Sequence, residues 1–176
     1  LVYLCETYGL SEVAAYWQQV VSMNAYQQDR FVGNMISQMF NTVAGKRIAI
    51  YGFAFKADTG DTRESPAICI TRQLVEERAE VVINDPQALD NARLDLSDIE
   101  ERVRFEVDPY EAVRGAHAVA VLTEWDLYRD LDYERVYKAM MKPAFIFDGR
   151  NCLDHQKLFA MGFNVYSVGK AALSHF

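Results

Sequence analysis

Lys56, Arg63 and Arg150 are the residues of this chain best suited to do chemistry, because each sits in a loop that follows an apolar run. Lys56 and Arg63 belong to the stretch Lys46–Pro66, KRIAIYGFAFKADTGDTRESP, with Asp58, Asp61 and Glu64 between and beside them. Arg150 belongs to FDGRN, directly after Ala144–Phe147. Cations in such loops bind anions, and Arg holds a phosphate through two parallel N–H bonds. The neighbouring acids can orient them. Taken singly, each loop also reads as an ordinary solvated turn, since Lys, Asp, Thr and Gly are common turn residues. The chemistry on offer is binding and not covalent catalysis. His117, His155 and His175 are scattered at exposed loop or cap positions, with no acid or nucleophile at triad-like spacing. Cys152 has no general base near it in sequence, and Cys5 reads as a small core residue on a helix face.

The surrounding elements must bring these cations together. The pattern predicts strands at Arg47–Phe53, Glu80–Asn84, Val103–Glu106, Ala118–Thr123, Ala144–Asp148 and Asn164–Val168. Helices are predicted at Ser65–Arg78, Asp108–Gly115, Asp132–Met141 and Asp154–Met161, with Ser65, Asp108, Asp132 and Asp154 as N-caps, Pro66 and Pro109 at first helical positions, and Glu111 as a capping-box acid. Such alternation over residues 44–176 argues for an α/β, Rossmann-like doubly wound parallel sheet with right-handed crossovers. Open sheets of this kind bind ligands beyond the carboxyl ends of their strands. That edge is where all three cations fall, so they are expected to face one cleft. Residues 1–43 read instead as a separate helical region. A helix from Ser11, its N-cap, to about Phe40 carries Val13, Trp17, Val20, Val21, Phe31, Met35 and Met39 at mostly three- and four-residue steps. Its length and its aromatics on several sides favour a connecting helix that also makes a subunit contact. Pro86–Glu101 reads as a polar, exposed connection.

A standard dinucleotide site is not expected in this sheet. GxGxxG is absent, and Asp85 lies 33 residues after Gly52, beyond the usual spacing of about 20; Asp85–Pro86 reads more simply as a strand-ending turn. Trp125, in TEWD, reads as packing on the following helix in preference to walling the cleft. The formal net charge of -7 argues against nucleic-acid and membrane-surface binding. No apolar run reaches transmembrane length. Cys5, Cys69 and Cys152 show no metal or disulfide spacing and read as reduced thiols of an intracellular protein. The chain opens on Leu1 inside an apolar helical pattern, as a piece of a longer protein would.

LVYLCE, YWQQV, GFAFKADTGDTRES, TEWD and PAFIFDGRN, in this order, resemble the C-terminal part of the UDP-glucose/GDP-mannose dehydrogenase family, and the LVYLCE and TEWD wording favours its UDP-glucose branch, of the animal type. The resemblance implies a UDP-sugar-binding, Rossmann-like domain preceded by a long connecting and dimerisation helix, in a cytoplasmic, homo-oligomeric enzyme. That enzyme oxidises UDP-glucose to UDP-glucuronate with two NAD, and its N-terminal domain holds the NAD. It implies substrate-binding roles for Phe55, Lys56 and Arg150, and a reach to the NAD pyrophosphate for Arg63. The family's catalytic cysteine lies in a GGxCxxKD-type motif that this sequence lacks, so no catalytic residue is expected here. Ala57 departs from the family, where a second Lys is usual, and Asn151–Cys152 departs after FDGR. Two other readings stay open: a dehydrogenase of another nucleotide sugar (GDP-mannose or UDP-N-acetylmannosamine), and a non-catalytic flavodoxin-like interaction module.

Overall fold

A computed structural model describes all 176 residues. Six parallel strands form one sheet in the order β3-β2-β1-β4-β5-β6. They are β1 (Arg47–Tyr51), β2 (Glu80–Asn84), β3 (Val103–Phe105), β4 (Ala118–Val121), β5 (Phe145–Asp148) and β6 (Asn164–Ser167). β1, β4 and β5 are neighbours at the centre, with Tyr51 level with Val121 and Val121 level with Asp148. The loops carrying the three cations therefore leave the same edge. β4 and β5 are buried along their whole length, which is why Ala118–Val121 and Phe145–Phe147 read as continuous apolar runs and not as alternating ones. The sheet is doubly wound, as its alternation predicts.

Helices α1 (Val2–Thr7), α2 (Ser11–Gln38), α3 (Pro66–Glu76), α4 (Leu89–Asp95), α5 (Pro109–Ala112), α6 (Asp126–Arg129), α7 (Tyr133–Ala139) and α8 (His155–Ala160) complete the chain. Side-chain caps form where Asp, Ser and Pro announce them. Ser65 accepts from Ala67 N–H, Asp108 from Tyr110 N–H, Asp132 from Glu134 and Arg135 N–H, and Asp154 from Lys157 N–H. Three local expectations fail. Ser11 is the first helical residue of α2 and not its cap; Leu10 takes that place without a side-chain bond, because its N–H closes the α1–α2 turn on Cys5 O. Glu111 pairs with Arg114, and Glu106 supplies the acceptor for Asp108 N–H. Pro86–Glu101 is not a plain exposed connection, since it holds α4 and buries Ala88, Ala92 and Leu96 completely.

α2 divides into two halves. Its C-terminal half packs Val32, Met35 and, just beyond its end, Met39 into the same core as the sheet, each worth about 1.5–3 kcal/mol of burial. Phe31 meets Phe147 of β5 edge to face at 6.4 Å. The N-terminal half buries only Ala14. Tyr16, Val20, Val21, Met23 and Tyr26 stand exposed, as do Leu1, Tyr3, Leu4 and Tyr8 of the α1 segment. Cys5 is half-buried there and joins no core.

Candidate functional site

At the end of β1 the chain turns through Gly52, whose φ is 91°. A Cβ there would lie 2.4 Å from Cβ of Thr123, so only glycine lets the β1 and β4 loops come this close. Residues 53–55 are then fixed one after another. Phe53 and Ala54 donate their N–H groups to Asp85 at 2.6 and 3.0 Å. Thr123 Oγ1 donates to Ala54 O at 2.6 Å. Phe55 N–H donates to Asp61 O at 2.8 Å, closing the loop on itself.

Arg150 meets this loop from β5. Its Nη2 donates to Phe55 O at 2.8 Å and its Nε to Leu122 O at 2.7 Å. Its backbone N–H donates to Asp148, which is fully buried. Glu124 Oε2 lies 3.2 Å from Nε, buried and with no hydrogen bond of its own. One flank of the guanidinium is thus held by the protein, and its remaining N–H donors stay available. Beside it opens a cleft of about 360 Å³ lined by Phe55, Arg150, Phe31, Asn24, Gln27 and Gln28, among others. Amides and an aromatic ring of α2 form its far wall. At Gly149 the approach is also tight, since a Cβ would sit 3.0 Å from Val121 O.

The structure brings Phe55 and Arg150 together in one cleft. It does not bring Lys56 and Arg63 into that lining. Lys56 is exposed and makes no ion pair within 4.0 Å. Arg63 is 88% exposed and is held by Asp61 alone, at 2.6 and 2.9 Å. Hydrogen bonds from Arg63, with the charge beside it, hold the Asp61 carboxyl down at about 2. The expected single hollow for all three cations is therefore not formed: Arg150 lines the cleft, while Lys56 and Arg63 are exposed side chains of the β1 loop.

For other residues the structure shows contacts that their neighbours in sequence do not announce. Asp85 is no mere turn residue, as its contacts with Phe53 and Ala54 show. His155 is not an isolated exposed histidine: its Nε2 lies 2.8 Å from Asp148 Oδ2. Cys152 Sγ is 3.9 Å from the same carboxylate. Burial first, and the Asp148 charge second, push that thiol up to about 11, so Cys152 is protonated near neutrality and unsuited to nucleophilic attack. Trp125 packs as expected, 6% exposed, with its indole N–H donated to Asp85 at 3.2 Å. No group of three or more acid, His or Cys side chains is arranged to hold a metal.

Fold and cleft define a class: a doubly wound parallel α/β domain whose ligand edge presents a preset arginine. Residues 49–155 match the model of the UDP-glucose/GDP-mannose dehydrogenase family, UDP binding domain, and the chain belongs to that family. UDP-glucose 6-dehydrogenase 2 of Oryza sativa subsp. japonica is 53% identical over 188 residues, covering 97% of this chain and 39% of the relative. UDP-glucose 6-dehydrogenase of Gallus gallus is 51% identical, covering 97% of this chain and 37% of the relative. The likeness thus does not prefer animal relatives over plant ones. A UDP-glucose dehydrogenase structure from Pyrobaculum islandicum superposes with a TM-score of 0.74 at 26% identity, over 94% of this chain and 34% of that one. The chain spans well under half the length of each of these relatives.

Proposed function

We propose that this chain is the UDP-binding part of an NAD-dependent UDP-glucose 6-dehydrogenase, in which Arg150 and Phe55 hold the nucleotide and Lys56 adds positive charge at the cleft rim. Arg150 carries the reading. Its guanidinium is oriented in advance by Leu122 O and Phe55 O, so little side-chain freedom is lost when a diphosphate arrives. The exposed face of Phe55 offers a surface for a base or sugar. The family match and the identity to UDP-glucose enzymes support UDP over other nucleotides. Titration calorimetry with UDP and with GDP tests it. UDP is expected to bind and GDP to bind at least tenfold more weakly; equal binding returns the assignment to another nucleotide sugar, and no binding of either leaves an interaction module.

NAD does not fit the crest of this chain's own sheet. The first strand has no GxGxxG turn, and the N–H groups of Phe53 and Ala54 are taken by Asp85. Arg63 alone suits it: an outward guanidinium can meet a pyrophosphate carried by another domain. The oxidation itself is assigned to residues outside this sequence.

The α1 segment and the exposed half of α2 are proposed as the contact with a second copy, residues 1–43 then serving as connecting and dimerisation region. Exposed Tyr16, Val20, Val21 and Met23 on one element form an apolar patch of the kind that associates. Val20→Glu with Val21→Glu is expected to shift the sedimenting species toward monomer; unchanged mass rejects the contact. No helix is long and apolar enough to cross a membrane, and a cytoplasmic place accords with three unpaired cysteines.

A further inference from the structure

Asp85 is 2% exposed and has no cationic group within 4.0 Å. Its charge is met only by N–H donors. Phe53 and Ala54 N–H and the Trp125 indole N–H reach Oδ2, at 2.6, 3.0 and 3.2 Å; Gln87 and Ala88 N–H reach Oδ1, both at 2.8 Å. Every contact is a donation, which matches an acceptor-only carboxylate, and a buried charge is tolerated when its hydrogen bonds are made this fully. The donors come from the β1, β2 and β4 loops. Two of them, Phe53 and Ala54, stand in the turn after the first strand, the turn that carries the glycine-rich phosphate loop in a dinucleotide-binding sheet. A side chain of the protein is seated there instead.

We infer that Asp85 is a built-in anion. It fills the phosphate position at the crest of β1, closes that crest to a dinucleotide, and pins Phe53 and Ala54. Phe55 then presents its carbonyl to Arg150, and an outside ligand is directed to the cleft between the β5 loop and α2. Asp85 acts on the ligand through Phe55 and Arg150, as a positioning residue. This last link rests on the proposed nucleotide site, whereas the built-in anion does not.

The test is Asp85→Ala in the full chain, melted in potassium formate and in potassium chloride of equal ionic strength. Formate is the carboxylate that the substitution removes. It is expected to raise the melting temperature of the variant beyond any rise in the unchanged protein, because it binds only the folded chain. The affinity of the variant for UDP is expected to fall about tenfold, the loss of roughly one charge-assisted hydrogen bond, and to recover in formate. Equal formate responses in variant and unchanged protein overturn the built-in anion. Formate rescue with unaltered UDP affinity overturns the positioning role. Failure of the unchanged protein to bind UDP sinks the nucleotide reading while the formate comparison still decides the anion. Should Asp85→Ala not fold, Asp85→Asn keeps the shape and sets an NH₂ against the donors. The Trp125 indole N–H resonance should then move and UDP affinity fall; no change in both overturns the proposal.

Discussion

Arg150 and Arg63 both follow strands of one sheet and leave from the same edge, yet the fold treats them in opposite ways. Arg150 is 30% exposed, tied to two carbonyls and flanked by Glu124. Arg63 is 88% exposed and answers only to Asp61, two residues away. An arginine fixed before its ligand arrives loses little entropy on binding. One that stands in water is screened and contributes little until a second body covers it. In the proposed function, the contrast separates an arginine already held in this chain's own cleft from one whose ligand would have to come from another domain.

Arg150→Ala tests the first half most strongly. UDP affinity is expected to drop by about 1.5–3 kcal/mol, with the fold retained by circular dichroism; calorimetry showing unaltered affinity removes Arg150 from the site. Glu124→Gln is a smaller probe with the opposite sign. Arg150 stays pinned by Leu122 O and Phe55 O, so deleting the Glu124 charge chiefly removes repulsion of a diphosphate. Affinity should tighten by about 0.5 kcal/mol, more at low salt. A weakening would mean that Glu124, and not the carbonyls, holds the guanidinium. Arg63→Ala should leave UDP affinity within about 0.5 kcal/mol and weaken NAD binding in the full-length enzyme; a loss of UDP affinity as large as that of Arg150→Ala would erase the distinction between the two loops.

The least demanding check is a titration of Asp61. Its folded value is lowered to about 2, below that of an unfolded aspartate. The pair with Arg63 therefore contributes stability that is present above the unfolded value and is lost as pH falls through about 2. Carbon-detected NMR should place the Asp61 midpoint near 2, and in Arg63→Ala it should move up toward the ordinary aspartate range. An ordinary midpoint in the unchanged chain would mean that the pair is absent in solution.

The elements were legible in the sequence for local reasons. Ala118–Val121 and Phe145–Phe147 of buried β4 and β5 are continuous apolar runs, and the Asp and Ser caps with Pro at the next position mark helix starts. One local signal lost to another: the α1–α2 turn, closed by Leu10 N–H on Cys5 O, starts the helix one residue early and leaves Ser11 inside it. The site was legible in part. Arg150 and Phe55 are announced by FDGR and GFAFK, but their contact spans 95 residues of chain.

What the sequence determined by itself is the parallel order of elements and the gathering of cationic loops along one edge, because apolar runs, caps and glycines act within a few residues of themselves. Which cation faces a cleft, and which faces water, was decided by the tertiary structure alone. So was the conversion of Asp85 from a turn residue into the anchor of three loops. A carboxylate becomes an anchor only when distant backbone N–H groups are brought to it and water is shut out, and neither condition is written in its neighbours.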